Sequence, residues 1–395
     1  MRVALVGPVY PYRGGIAHHT SQLAQALSAS HDARVFSYRA QYPRWLYPGR
    51  THQDPSRQPL RTEAEFLLSP WSPLTWWRTA DRIGAFAPDI TLIQWWTTFW
   101  APPYAGLCSR LRTRGGVVAF LVHNVVPHEP HPWDVALARQ ALRHAQVFIA
   151  HSPGVERRLK ALFPGTPAVT CPLPLFRLAG GALPAKEVAR ERLRVPAGAA
   201  VVLFFGLVRP YKGLNELLEA VALLRREGAP IFLLVAGEVW GNRAAYRQRI
   251  ARLGLADCVR FDDRYIPDEE VPLYFAAADV VAAPYSGGTQ SAVVSLALGM
   301  GMRREKALPV VTTPVVAEGL PEGVRNVRVV QPCDPAALAE GIRMALCPGP
   351  DERMDASPSS PGETSHAGGR MSDGWEELVN RVEQCAALAH GAVGG

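Results

Sequence analysis

Two short loops hold the residues best suited to gripping an anion. The first is Gly206-Leu207-Val208-Arg209-Pro210-Tyr211-Lys212-Gly213, which separates an apolar run at 201–205 from an amphipathic stretch at 216–227. Glycine lets a phosphate approach the backbone, Arg209 offers a fork of donors, and Lys212 a compact charge. Where a diphosphate departs, such cations act most strongly as the bond breaks. A surface turn with two ordinary cations is the plain alternative. The second loop is Tyr285-Ser286-Gly287-Gly288-Thr289-Gln290-Ser291, between an apolar run at 280–284 and a helical stretch from Ala292. A Gly-Gly-Thr loop opening a helix aims free N–H groups at its mouth, while Thr289 and Ser291 equally suit helix capping.

Other polar residues stand at the ends of apolar runs. Glu238 follows Ala236-Gly237 and reads either as a ligand for nucleotide or sugar or as a surface carboxylate. His128 and Glu129, in Pro127-His128-Glu129-Pro130, are close enough in sequence for acid–base work on an acceptor. Trp95, Trp96, Phe99 and Trp100 follow another apolar run. Aromatic faces suit sugar rings, while such runs more often fill cores or domain interfaces. Asp262-Asp263 is an acidic pair without the further oxygens a hard cation needs, and the six cysteines form no CxxC or Cys/His cluster. The expectation is a protein with no metal and no cofactor, using cations and helix ends in place of magnesium.

These loops need strands to carry them. Apolar runs at 2–7, 33–37, 90–94, 117–122 and 147–150 alternate with helical stretches, beginning with 16–29, and the pattern restarts at 201–206, 231–237, 259–261, 280–284 and 309–312. Alternation of this kind predicts two doubly wound, Rossmann-like α/β domains facing a central cleft. The expected divisions are an acceptor-side domain at 1–172, a Pro- and Ala-rich linker at 173–198 and a donor-binding domain at 199–350. A flexible Ser/Pro/Gly-rich loop at 351–373 and a C-terminal helix at 374–395 complete the chain. Parallel sheets bind ligands beyond the carboxyl ends of their strands, so the loops at 8–15, 123–129, 206–213, 237–242 and 285–291 should ring the crevice.

With 395 residues, 48% hydrophobic and 19% charged, the chain has apolar material for two or three cores. The net charge of +7 suits phosphate-bearing partners or an anionic membrane surface. No polybasic run is present, which argues against nucleic acid. Met1-Arg2 leads directly into a short apolar stretch at 3–7, too short for a signal peptide or a membrane span. The expectation is a cytoplasmic protein with reduced thiols, with peripheral contact at the inner face of the membrane left open.

The loop 206–213 with Glu216 and Glu219 resembles the donor-phosphate loop of the retaining glycosyltransferases of family four, which have the GT-B fold. Pro8 to Gly15 resembles that family's N-terminal glycine loop, Val122-His123-Asn124 its strand-end histidine, and 265–271 its nucleotide-side loop. The resemblance implies that Gly14 and Gly15 lie against donor phosphate or sugar, and that Arg209 and Lys212 hold the diphosphate beside Gly206. It implies that Gly288, Thr289, Gln290 and Ser291 meet sugar or phosphates, that Ile266 touches the base through its backbone, and that His123 faces the sugar hydroxyls or the reacting centre. As a residue alone, His123 reads more readily as a structural histidine at a strand end. The family's two glutamates, eight positions apart, fall here on Gly288 and Leu296, and leucine cannot accept hydrogen bonds from ribose. The stretch 302–307 resembles an insertion between helix and strand.

The expected activity is transfer of a sugar, with retention, from a nucleoside diphosphate sugar to a glycan or lipid-linked acceptor in polysaccharide or cell-envelope biosynthesis. The missing glutamates motivate a second reading, a catalytically weak nucleotide-sugar-binding accessory subunit. A nicotinamide-dependent dehydrogenase would need a G-x-G-x-x-G with an acidic residue about 20 positions on, and none is present.

Overall fold

A computed structural model describes residues 1–42, 49–177, 183–302, 307–321, 323–324, 326–347 and 374–391. The expected loop at 351–373, most of the 302–307 insertion and the last residues of the expected helix at 374–395 lie outside the described residues. Strands β1 (Arg2–Val6), β2 (Asp32–Tyr38), β3 (Ala64–Leu68), β4 (Ile90–Trp95), β5 (Val118–Val122), β6 (Val147–Ala150) and β7 (Ala168–Thr170) form one sheet. Its order is β3-β2-β1-β4-β5-β6-β7. Strands β8 (Ala200–Phe205), β9 (Ile231–Ala236), β10 (Val259–Asp262), β11 (Val280–Ala283), β12 (Val310–Thr312) and β13 (Val327–Val329) form the other, ordered β10-β9-β8-β11-β12-β13. Neighbouring strands in both sheets run parallel. The two sheets are the doubly wound pair that the alternation predicts.

The central strands are buried along their length because helices cover both faces; β4, β5, β6 and β9 are buried at every position. In each sheet the strand order reverses once, between β1 and β4 and between β8 and β11. A crevice opens at such a point, because the chain leaves adjacent strands toward opposite faces. The loops that follow β1, β8 and β11 are the glycine-bearing loops of the sequence. They therefore stand at the two switch points.

Two features depart from the sequence expectation, and the expected C-terminal helix packs across the domain order. The stretch 173–198 is not simply a linker: it contains the helix Lys186–Arg192, tied to the second domain by Lys186 and Arg190 against Asp279. The helix Trp375–Gly391 follows the second domain in sequence yet packs on β6 and on the helix Gly15–Ser28 of the first. Trp375 Nε1 donates to the Leu175 carbonyl at 2.9 Å, which helps anchor that return. Finally, Trp95 is completely buried among Tyr104 and Phe120, and its Nε1 donates to the Val125 carbonyl. The acceptor-side role considered for Trp95 is thereby corrected to core packing, since a ring with no exposed surface cannot meet a sugar. Trp96 is half-buried and bonds Tyr42.

Candidate functional site

At the first switch point Gly14, with φ of 106°, turns the chain into the helix Gly15–Ser28. At the second, Ser291 caps the helix Ala292–Gly301 by accepting from Val294 N. The two helix starts meet across the cleft: a Cβ on Gly15 would lie 3.0 Å from that of Ala292. Two helix N-termini, each a positive dipole end, thus converge on one place. Gly206, with φ of 92°, lies beside them, and its missing Cβ would sit 2.9 Å from Val293 and 3.5 Å from Lys212 Nζ.

Lys212 ends the short turn Pro210–Lys212 and is half-buried, with its ammonium 5.3 Å from the centre of the Tyr285 ring. Among the described residues no carboxylate pairs with it. Its burial lowers its pKa from the ordinary lysine value; Tyr211 opposes this shift and the charge of Arg209 adds to it. An arriving anion would relieve that cost. Arg209 reaches across the cleft to Glu129, with Tyr211 and Trp240 rings 5.8 and 5.5 Å from its guanidinium carbon. Both partners are substantially exposed, at 33% and 46%. Such a pair is worth about 0.2–1 kcal/mol, so a diphosphate can displace Glu129 at little cost. The His128 ring lies tilted against that of Tyr211, centres 5.0 Å apart, on the same rim.

Gly213 fixes this loop. Its φ is 75°, and a Cβ there would fall 2.1 Å from the Pro284 carbonyl. Gly213→Ala should therefore cost about 1–3 kcal/mol in backbone strain before the clash is counted. A urea midpoint unchanged from the parent protein would contradict this account of the loop.

His123 is buried at the end of β5. Its Nε2 donates to Gln94 Oε1 at 2.6 Å, Gln290 approaches Nδ1 at 3.4 Å, and its backbone carbonyl accepts from the Thr289 hydroxyl at 2.8 Å. His19 and His151 stand close, with ring centres 4.9 and 5.0 Å from that of His123. Burial holds all three imidazoles neutral by lowering their pKa values, that of His151 to about 4. The side chains of Thr289 and Gln290 thus touch His123, and that of Ser291 caps its helix; what these residues and Gly288 offer outward is backbone. Leu296 packs in the apolar core.

Glu238 is not a surface carboxylate. It is 1% exposed, pairs with Arg13 of the first domain and accepts from Arg50 N at 2.6 Å. Ile266 is buried beside Tyr265, whose ring lies 5.1 Å from the Arg13 guanidinium carbon. Sequence reasoning missed Arg13, His18, His19, Asp54, Gln94 and His151. The only local signals were a histidine pair soon after two glycines and a polar residue inside the apolar β4.

A two-sheet α/β protein with cationic and helix-end groups gathered at its facing switch points is a GT-B-type protein. Two family profiles match in tandem: Glycosyltransferase Family 4 over residues 13–172 and Glycosyl transferases group 1 over residues 199–347. The chain belongs to these GT-B glycosyltransferases. A D-inositol 3-phosphate glycosyltransferase of Streptomyces scabiei is 33% identical over 204 residues, 48% of this chain and 42% of the relative. The corresponding protein of Corynebacterium efficiens is 34% identical over 41% of this chain and 38% of its own length. In both cases the match spans less than half of the relative. Sucrose-phosphate synthase from Thermosynechococcus elongatus superposes with a TM-score of 0.64 at 18% identity, covering 99% of this chain and 100% of that one. The Anabaena HepE protein in complex with UDP gives 0.62 at 16% identity, covering 100% and 98%. These two likenesses define the fold.

Proposed function

We propose that the protein transfers a sugar, with retention, from a nucleoside diphosphate sugar to a glycan or lipid-linked acceptor. The observation that carries this reading is the half-buried Lys212 ammonium, without a carboxylate partner among the described residues, beside two converging helix starts. Such a place stabilises charge on a departing diphosphate. Arg209, exchanging Glu129 for phosphate, supplies the second cation, so the diphosphate needs no magnesium. Gly14 and Gly15 admit the donor closely, the backbone at Gly288 to Ser291 faces phosphates or sugar, Ile266 borders the base, and Gln94 orients His123 toward the sugar. His128 and Glu129 stand on the rim where an acceptor would enter.

The UDP in the HepE complex supports a uridine nucleotide as the first donor to test. A role in polysaccharide or cell-envelope assembly, in the cytoplasm, agrees with the family. No helix among the described residues is long and apolar enough to cross a membrane. The exposed Trp71, Leu74 and Trp77 support a peripheral contact with lipid.

Calorimetry with UDP-, GDP- and ADP-sugars, followed by an assay for released diphosphate, tests the reading. Binding of one nucleotide sugar with diphosphate release in the presence of acceptor is expected. Tight binding without turnover against any acceptor would favour the accessory subunit, which the apolar Leu296 motivates. No binding at all would remove both.

A further inference from the structure

Apart from the diphosphate loops, the seam between the domains holds a second polar centre. The segment 49–60 of the first domain crosses to the second: Asp268 N donates to Ser56 Oγ at 2.9 Å, and Tyr265 OH donates to Asp54 Oδ2 at 3.2 Å. Beneath it lies a cavity of about 10 Å3 lined by Tyr10, Tyr12, Ser21, His18, Asp54 and Asp268. That space holds one water-sized body. Ligand atoms of His18, Asp54 and Asp268 lie within 4.8 Å of one another. His18 Nε2 is 3.3 Å from Asp268 Oδ1. Asp268 is only 3% exposed, and its other oxygen, Oδ2, is buried without a hydrogen-bond partner.

Two carboxylates held together in a buried pocket repel, and the charge of Asp54 disfavours that of Asp268. An unsatisfied buried carboxylate oxygen is costly, and a cation would satisfy it. We propose that His18, Asp54 and Asp268 bind a first-row divalent cation, zinc being the probe of choice, which clasps the two domains together. One imidazole and two carboxylates suit zinc, whereas calcium takes six to eight oxygens that this pocket does not supply. His18 and Asp54 come from the first domain and Asp268 from the second, so the ion joins them. This site is separate from the diphosphate cations and does not rest on the proposed transfer reaction.

The test uses full-length protein stripped with EDTA and titrated with ZnCl2 by calorimetry, with Co2+ absorption reporting coordination. One equivalent is expected to bind and to raise the thermal midpoint. Asp268→Asn and His18→Gln should each weaken binding at least 100-fold, beyond the roughly 10–100-fold typical of groups that only support a ligand. Circular dichroism checks folding, and His18→Gln, at a less buried position, answers should Asp268→Asn fail to fold. His151→Asn is the control, because it disrupts the His19–His123–His151 cluster and leaves the clasp whole. Absence of binding in the parent protein, or loss in His151→Asn with retention in the clasp variants, overturns the proposal. Donor calorimetry in EDTA separates failure of the clasp from failure of the donor reading.

Discussion

Lys212→Ala is expected to lower turnover by roughly two to four powers of ten, the range seen when a group that stabilises developing charge is removed. The position of the ammonium sets that size. It is half-buried, 5.3 Å from the centre of an aromatic ring, and no carboxylate among the described residues shares it. Its interaction with an anion is therefore neither diluted by full solvent nor already spent on an internal partner. A leaving diphosphate gains charge as the sugar bond breaks, so kcat should fall more than donor affinity. Arg209→Ala should act in the same direction, with a larger share in binding, because its fork is more exposed and starts from Glu129. Lys212→Arg is not a rescue, since a planar guanidinium does not fit where a compact ammonium lies against Gly206. Unchanged turnover in both alanine variants would remove the cationic cradle from the mechanism.

The loop that carries these two cations was legible in the sequence because its parts are local. Gly206, Arg209, Lys212 and Gly213 follow one buried strand, and glycines with positive φ are called for at both ends of the loop. The central strands were legible for a related reason: a strand buried on both faces reads as an unbroken apolar run. β3, β7 and β13 escaped because they are short and largely half-exposed, so neither an apolar run nor clean alternation marks them. The helix Lys186–Arg192 escaped because its packing partner, Asp279, is far along the chain. The histidine cluster and the cross-domain clasp escaped altogether. Residues 19, 123 and 151 meet only once three elements have packed, and no spacing in the chain announces it. The aromatic run at 95–100 left a sugar-facing role and core packing both open, and the parallel sheet claimed Trp95 for the core.

The histidine cluster carries the largest expected dependence on pH. His19, His123 and His151 are buried; burial lowers all three pKa values, and the neighbouring imidazoles lower those of His19 and His123 further. His151 donates through Nδ1 to the Cys171 carbonyl at 2.9 Å, yet its pKa still falls from 6.5 to about 4. Above pH 6.5 this imidazole is neutral whether the chain is folded or not. As pH falls below 6.5 the unfolded chain takes up a proton that the folded one refuses, so stability drops. The loss runs down to about pH 4, where the folded histidine also protonates and the curve for this residue flattens. At roughly 1.4 kcal/mol per pKa unit, His151 alone accounts for about 3 kcal/mol, and the other two act in the same direction. His151→Asn keeps a donor near the Cys171 carbonyl and removes the titration. Its urea midpoint at pH 7 should fall modestly from lost packing, while the further drop on going to pH 4.5 should be smaller than in the parent protein. Tryptophan fluorescence of the first domain follows both transitions, and parallel curves for parent and variant from pH 7 to 4.5 would show that His151 is not held neutral by the fold.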